Sequence, residues 1–191
     1  MPKSEEQCKQ MREDMRSKIL KMSSLYFAKT GFGDTKISDL AKHIGIGQGT
    51  IYLYFKSKED LFEEIRENAD NKEEIKKMKI LSKLPISASA KIDKISEEVI
   101  RRLEDEDYAV KITLHTQVLL EKENGLYTSE MYKIMASIIK KGQKEGNVVK
   151  GDPLFLADLY WGTVYLYALK KLYVKDFKMI DQSTLCRLLE V

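Results

Sequence analysis

The stretch GIGQG, Gly45 to Gly49, separates two short apolar segments, and this arrangement restricts the fold more than any other feature. Before it, apolar residues recur at i, i+3, i+4 and i+7, which predicts a two-turn helix with one buried face. These residues are Ile37, Leu40, Ala41 and Ile44. After it, a second helix is predicted from about Gln48 to near Phe55. Two short helices joined by a glycine-containing turn are typical of a helix-turn-helix.

The same glycines also admit a phosphate-binding interpretation, which their spacing disfavours. A dinucleotide-binding loop needs G-x-G-x-x-G after a strand and before a helix. Here the third glycine comes one residue early, Thr50 stands where it would be needed, and the preceding segment is a predicted helix. A Walker loop would need Gly-Lys-Ser/Thr, which the stretch lacks. Both nucleotide-binding interpretations therefore fail on spacing and on context.

The scarcity of chain-breaking residues predicts helices elsewhere too. The chain of 191 residues has only 3 Pro and 10 Gly, and it is rich in Lys, Glu, Leu and Ile. We expect Gly31 to end the first helix, Thr35 to cap the second, and a capping box from Ser57 to Asp60 to open a helix running to near Pro85. Further helices are expected at about 5–29, 128–144, 153–174 and 181–189. The expected fold class is all-α, with a three-helix helix-turn-helix domain at 1–60 and a second helical domain at 61–191.

Charge is distributed unevenly between these two parts. Residues 16–58 hold 8 Lys or Arg against 2 Asp, whereas residues 61–191 hold 22 basic and 22 acidic residues. A small basic module beside a neutral body indicates an anionic partner for the first part. A solvated charged face is the alternative explanation.

Several functional classes lack their sequence signals. Cys8 and Cys186 have no metal-ligand spacing, His43 and His115 fall in different predicted domains, and no catalytic motif is present. The charged start has no apolar signal-peptide core, and no apolar run approaches the ~20 residues that span a bilayer. We therefore expect a cytoplasmic protein that is not an enzyme and has no cofactor, metal or membrane partner.

The second short helix has a buried and an open face when its residues are placed at 100° intervals. Ile51 and Phe55 are predicted core, and Gly49 and Leu53 lie opposite them, with Gln48 in the first turn. Gln can bond an adenine edge, and apolar atoms can meet a thymine methyl. Four other side chains can reach phosphates or flank this face. As alternatives, the two tyrosines among them could lie at the edge of the core, and the lysine could be an ordinary solvated residue. These side chains are Thr50, Tyr52, Tyr54 and Lys58.

Residues 19–65 closely resemble the DNA-binding domain of tetracycline-repressor (TetR/AcrR) type regulators. The resemblance includes LYFAKTGF, Thr35, DLA, IGIGQGTIYLYF and Ser57-Lys58-Glu59. One departure is Gly47, where these proteins often have a Ser that can cap the recognition helix. The resemblance implies two sets of contacts with double-stranded DNA. The base-facing residues would be Gln48, Gly49, Tyr52 and Leu53, and the phosphate-facing residues Thr50, Tyr54 and Lys58, with Lys36 and Ser38 as further candidates.

For the second domain, the resemblance implies ligand binding and dimerisation. A homodimer is expected through about 153–174 and 181–190, where Gly162 and Ala168 would allow close helix approach. An apolar or aromatic effector is expected in a pocket lined by aromatic side chains, methionines and a histidine. As an alternative, the aromatic side chains and methionines could belong to the core, and the histidine could have a structural role. The pocket candidates are Tyr108, His115, Met131, Met135, Trp161 and Tyr165.

The resulting hypothesis is a ligand-responsive, sequence-specific transcriptional repressor that binds a palindromic operator as a homodimer. The alternative is a structural or occluding DNA-binding protein without a small-molecule effector. An enzyme with a borrowed helix-turn-helix is a third hypothesis, and the missing catalytic grouping disfavours it.

Overall fold

The computed structural model describes residues 5–69, 72–121 and 123–191, and eleven helices cover most of them. Within these ranges the β-pairing is one isolated antiparallel bridge, between Val148 and Glu190. The predicted all-α fold class is confirmed. The chain divides into two compact units, residues 1–69 and 70–191.

The first unit contains four helices, with α1 packed against both α2 and α4. The buried side of α1 runs through Ile19, Ser23 and Phe27, which recur every fourth residue. Phe27, Phe32 and Phe62 form an aromatic cluster with ring centroids 4.4 to 5.9 Å apart. The helices are α1 (Glu5–Thr30), α2 (Ile37–Ile44), α3 (Gln48–Tyr52) and α4 (Lys58–Asn68).

The fourth helix belongs to the first unit, so the compact unit extends past the predicted boundary at residue 60. Leu61 and Ile65 are fully buried in it, and Arg16 of α1 forms a two-pronged ion pair with the carboxylate of Glu64. The single helix predicted to reach Pro85 was wrong, because α4 ends at Asn68. Asn is a weak helix former that favours helix ends, which explains an end at this position.

The cap prediction was correct for α4 and wrong for α2. The Ser57 hydroxyl accepts the Asp60 amide at 3.0 Å, and the Asp60 carboxylate accepts the Lys56 amide at 2.9 Å. At α2 the N-cap is Lys36, which makes no side-chain cap. The hydroxyl of Thr35 instead donates to the carbonyl of Gly31 at 2.7 Å, so Thr35 stabilises the preceding turn.

The second unit is built around α10, which packs on α7 and α9. Its core includes Tyr160, whose hydroxyl hydrogen-bonds the buried Ser96 hydroxyl at 2.9 Å. The apolar side of α6, with Ile92, Ile95, Val99 and Leu103, is buried. The helices are α5 (Lys72–Lys83), α6 (Ala88–Leu103), α7 (Glu106–Leu120), α8 (Gly125–Thr128), α9 (Glu130–Glu145), α10 (Pro153–Tyr173) and α11 (Gln182–Cys186).

The ends of α10 and α11 follow sequence signals. Asp152 accepts the Phe155 amide at 2.8 Å with Pro153 in the first turn, and Asp181 accepts the Thr184 amide at 2.7 Å. The last helix ends earlier than predicted, at Cys186. The residues after it pair with the segment after α9, where the Val149 amide donates to the Leu189 carbonyl at 2.8 Å, so they leave the helical path. Within the described ranges, no helix combines the length and apolar character needed to cross a membrane.

Candidate nucleic-acid interface and ligand cavity

The turn between α2 and α3 depends on one glycine in the left-handed region. Gly45 has φ +76°, and the Ile46 amide donates to the Ala41 carbonyl at 3.0 Å, which closes α2. A side chain is strained at this φ, so Gly45 is required by the turn. Gly47 has ordinary dihedrals, φ −72° and ψ 145°, and serves as the N-cap of α3 without a side chain. The two glycines therefore have different roles.

Helix α3 buries one side and exposes the other. Ile51 and Phe55 are buried as predicted, and the Arg16 guanidinium lies 5.1 Å from the Phe55 ring centroid. On the open side, Leu53 is 82% exposed and Tyr52 is 48% exposed. Gln48 and Gly49 are also exposed. The helix ends at Tyr52, earlier than the predicted end near Phe55, and Leu53 follows it in a turn. The structure thus brings the four predicted base-facing residues to the solvent side of α3 and of this turn.

The predicted phosphate-facing residues occupy more varied environments. Thr50 and Tyr54 are half-buried, whereas Lys36 and Ser38 are exposed at the start of α2. Tyr54 and Leu53 line a shallow cleft together with Arg12 and Arg16 of α1. Arg12 was missed in the sequence because it lies far from α3 along the chain. Because Glu13 and Asp14 follow it directly, the sequence offered no charge signal there.

Lys58 is held by the protein itself. Its ammonium donates to the carbonyls of Phe32 at 2.9 Å and Thr35 at 3.0 Å, and it lies 4.2 Å from the Phe32 ring centroid. The side chain therefore ties the start of α4 to the turn between α1 and α2. Lys58 is therefore not an ordinary solvated lysine, and its contact with a DNA phosphate stays a prediction.

The second unit contains a cavity of about 100 Å³ between five of its helices. Three predicted pocket residues, Tyr108, Met131 and Trp161, line it. The other three predicted residues, His115, Met135 and Tyr165, are not part of this lining, and Met135 is fully buried core. The sequence reasoning missed the apolar wall from α5 and α6, whose helical spacing looked like ordinary core. That wall comprises Met78, Leu81, Ile95 and Val99.

One end of the cavity carries an ion-paired cluster. The Glu74 carboxylate, whose side chain is 15% exposed, accepts from Arg102 at 2.9 Å and from Lys111 at 3.1 and 3.3 Å. Burial raises the pKa of Glu74, but hydrogen bonds from its own backbone amide, Lys111 and Arg102 outweigh this, and the net pKa lies below the ordinary value. The Arg102 guanidinium stacks 4.0 Å from the Tyr108 ring centroid. Burial raises the pKa of Tyr108 to about 12.

Trp161, the only tryptophan of the chain, is 5% exposed and packs edge-on against Tyr160 at 5.0 Å. Its indole Nε1–H finds no acceptor among the described residues. Buried indole donors usually have a partner, so this group has unused hydrogen-bonding capacity beside the cavity. No group of three His, Cys, Asp or Glu suited to a metal ion occurs in the part of the chain that the structure describes.

The helix-turn-helix has known relatives. Residues 19–65 match the family described as "Bacterial regulatory proteins, tetR family". The transcriptional regulator AcrR of Shigella flexneri is 36% identical over 63 residues, which are 33% of this chain and 29% of that protein. The helix-turn-helix at residues 19–65 is therefore of the TetR type. The matches to AcrR and to two uncharacterised regulators of Bacillus subtilis cover less than a third of those proteins' length.

The TetR-family fold extends over nearly the whole chain. AibR in complex with isovaleryl coenzyme A and operator DNA has a TM-score of 0.64 at 14% identity, over 90% of this chain and 94% of that one. FadR from Bacillus subtilis in complex with stearoyl-CoA has a TM-score of 0.56 at 20% identity, over 90% of this chain and 96% of that one. At such identities the likeness concerns the fold.

The second unit also exposes an apolar stripe along α10. Large side chains are exposed at intervals of four and seven residues, with the exposed Gly162 between them, so they share one side of the helix. Ala168, predicted to allow close helix approach, is instead fully buried and belongs to the unit's own core. The stripe consists of Phe155, Leu159, Leu166 and Tyr173.

Proposed function

We propose that this TetR-family chain is a ligand-responsive transcriptional repressor, and not an enzyme, that binds a palindromic operator in the cytoplasm as a homodimer. The observation that carries the proposal is the surface of α3. Leu53, directly after α3, is 82% exposed, while Ile51 and Phe55 on the opposite side are buried. A large exposed apolar residue beside polar groups suits contact with thymine methyls and base edges in the major groove.

The proposed base contacts are divided among four residues. Gln48, in the first turn of α3, offers an amide that can bond adenine in two places. Gly49 leaves open space where a side chain would stand, since nothing lies within 4 Å of its ideal Cβ position. The groove can therefore approach the backbone there, with Tyr52 and Leu53 completing the contact.

Phosphate contacts would position this helix. Lys36 and Ser38 are exposed at the start of α2, and the N-terminus of a helix favours a nearby anion. Thr50, Tyr54 and Lys58 are the other proposed contacts, and Arg12 joins them because it shares a cleft with Leu53 and Tyr54. Such contacts fix orientation and carry no sequence information themselves.

The homodimer is proposed through α10 and the residues 181–190. The stripe Phe155, Leu159, Leu166 and Tyr173 exposes large apolar side chains that a partner copy would cover. Leu188, which is also exposed, extends this apolar character to the chain's end. Two-fold symmetry then pairs two α3 helices, and half-sites one helical turn, ~34–36 Å, or somewhat more apart are expected.

The ligand response is proposed for the cavity lined by Tyr108, Met131 and Trp161. The bound ligands named for AibR and FadR are both coenzyme A thioesters, which supports an effector with an apolar part in a fold of this type. Ligand and DNA would then affect each other's affinity reciprocally, typically by ~1–3 kcal/mol.

Selection of binding sites from random duplex DNA tests the DNA-binding proposal. We expect enrichment of a two-fold symmetric sequence. We also expect the Leu53→Ala variant to lose most of its affinity for that DNA while its melting temperature stays unchanged. The matched control is Leu120→Ala, which alters another exposed leucine in the second unit. Failure to enrich any sequence, or equal binding by the Leu53 and Leu120 variants, would contradict the proposal.

Sedimentation at micromolar concentration tests the dimer. The unaltered chain should sediment as a dimer and Leu166→Glu as a monomer, because a buried unpaired carboxylate is costly at an apolar interface. Leu120→Glu, also an exposed leucine on a helix, should stay dimeric. A monomeric parent chain would remove the basis for a palindromic operator.

A further inference from the structure

The ion-paired cluster at the cavity joins three helices through one carboxylate. Glu74 of α5 accepts from Arg102 of α6 at 2.9 Å and from Lys111 of α7 at 3.1 Å. Both cations are only partly exposed, with side-chain exposures of 27% and 23%. The two positive charges therefore face a shielded position that now holds one negative charge.

This position lies where the apolar cavity meets a polar cleft. Arg102 and Tyr108 line both spaces, and Glu74 lines the cavity. The cleft adds Arg101 and Lys111 to the basic side, and Asp105 and Asp107 to the acidic side. Asp105 is engaged as the cap of α7, where it accepts the Asp107 amide at 3.0 Å. The cavity, whose lining also includes Lys77, Lys94 and Glu98, thus meets the cleft at the Glu74 ion pairs with Arg102 and Lys111.

We propose that the cavity binds a short acyl chain with an anionic head group, and that this anion replaces the Glu74 carboxylate on Arg102 and Lys111. The proposal rests on the proposed function as a ligand-responsive regulator and names the class of its effector. The head group is a carboxylate or a phosphate, since both accept hydrogen bonds from guanidinium and ammonium groups.

Exchange of one anion for another keeps the net charge of the site unchanged, at two cations and one anion. Adding an anion while Glu74 stays in place would set two like charges side by side, and removing Glu74 without replacement would leave two shielded cations unpaired. An uncharged ligand cannot replace the Glu74 carboxylate, so it must bind while Glu74 remains paired with Arg102 and Lys111. The site therefore distinguishes anionic from neutral ligands of equal chain length.

The size and polarity of the cavity limit the acyl part. A volume of about 100 Å³ is smaller than the ~150 Å³ of an engineered cavity that holds benzene, so it admits roughly four to six carbons. The apolar wall contributes Met78, Ile95 and Val99. The Nε1–H of Trp161, which lacks an acceptor among the described residues, can donate to an oxygen of the ligand.

Release of Glu74 gives the exchange a regulatory consequence. Glu74 lies in the first turn of α5, the helix that follows the helix-turn-helix unit along the chain. With the carboxylate displaced, α5 loses its ion pairs to both α6 and α7. A bound anion thereby frees α5 at the end nearer in sequence to the DNA-binding unit.

Trp161 fluorescence measures the binding directly, because Trp161 is the only tryptophan and lines the cavity. The probes are hexanoate, hexyl phosphate and hexanol, titrated into the full chain. We expect the two anions to change the fluorescence at concentrations at least about tenfold below that needed for hexanol. The tighter of the two anions identifies whether the head group is a carboxylate or a phosphate.

Three variants separate exchange from structural support. Glu74→Gln should bind hexanoate about tenfold more tightly, because the competing carboxylate is gone, and Arg102→Gln about tenfold more weakly. Hexanol affinity should stay unchanged in both. The matched control is Glu130→Gln, which breaks another ion pair to α5, with Lys79 at 2.6 Å, at a residue outside the cavity lining. It should change neither affinity.

Four results would overturn the inference: hexanol binding as tightly as hexanoate, no fluorescence change with any probe, no gain in hexanoate affinity in Glu74→Gln, or no loss in Arg102→Gln. DNA affinity, measured on the same preparations by fluorescence anisotropy, keeps the proposed function separate. Intact DNA binding with no probe binding overturns the effector class alone. Probe binding by a chain that selects no DNA supports the ligand site and contradicts the regulator.

Discussion

The candidate contact residues of the two units differ in burial. In the helix-turn-helix unit, Leu53 and Tyr52 project into solvent, whereas in the second unit Trp161 and Tyr108 are enclosed by their own helices. An exposed contact residue contributes little to folding, so its replacement affects function alone. A buried one contributes to both, because the cavity it lines is also part of the core.

The largest expected effect distinguishes a buried from an exposed candidate. Trp161→Ala should lower the free energy of unfolding by about 3–5 kcal/mol, because it removes a large side chain and leaves a cavity. Leu53→Ala should change it by no more than about 0.5 kcal/mol. Urea unfolding followed by circular dichroism measures both. A Leu53 variant as destabilised as the Trp161 variant would show that α3 depends on this side chain for packing.

A medium effect is expected from two lysines within the first unit. Lys58→Ala should cost about 1–2 kcal/mol of unfolding free energy, because the carbonyls of Phe32 and Thr35 lose a charged donor. Lys36→Ala should leave stability unchanged and reduce the slope of log affinity against log salt by about 0.9 for each phosphate that the variant no longer neutralises.

Denaturant titrations and salt-dependent DNA anisotropy distinguish these roles. Unchanged stability in Lys58→Ala would mean that its hydrogen bonds to the turn are dispensable. An unchanged salt slope in Lys36→Ala would remove this residue from the phosphate-binding set.

The smallest effect concerns two glycines of the turn. Gly47→Ser should raise the unfolding free energy by a few tenths of a kcal/mol, because it supplies a side-chain cap and its Cβ would meet only the Thr50 Oγ1 at 3.7 Å. Gly45→Ser should lower it by about 1 kcal/mol, because φ is +76° there. Thermal unfolding compares the pair. A shift in the same direction for both would contradict the separate roles of turn and cap.

The first unit was largely predictable because its determinants are local. The spacing of Ile37, Leu40 and Ile44, the glycine turn and the Ser57 cap each act within a few residues of one another. The wrong cap at Thr35 has a physical cause, since its hydroxyl had an alternative acceptor in the Gly31 carbonyl. The role of Lys58 could not be predicted, because its acceptors come from a distant turn.

The cavity was predictable only in part. Tyr108, Met131 and Trp161 stood out as large residues on apolar helices, but so did the core residue Met135. Periodicity identifies a buried face without showing whether another side chain or an empty space lies opposite. The Glu74 cluster joins three helices, and a sequence rich in Glu and Lys gives no sign of which charges meet.

Base readout by α3 is the central claim, and the DNA sites selected by Gln48→Ala test it most directly. The variant should select the parent sequence with relaxed preference at one symmetric pair of positions, since the absence of a bidentate hydrogen-bonded pair costs ~1–3 kcal/mol of discrimination at one base. Every other position should keep its preference. Uniform weakening with the same preference throughout would contradict base readout by this residue.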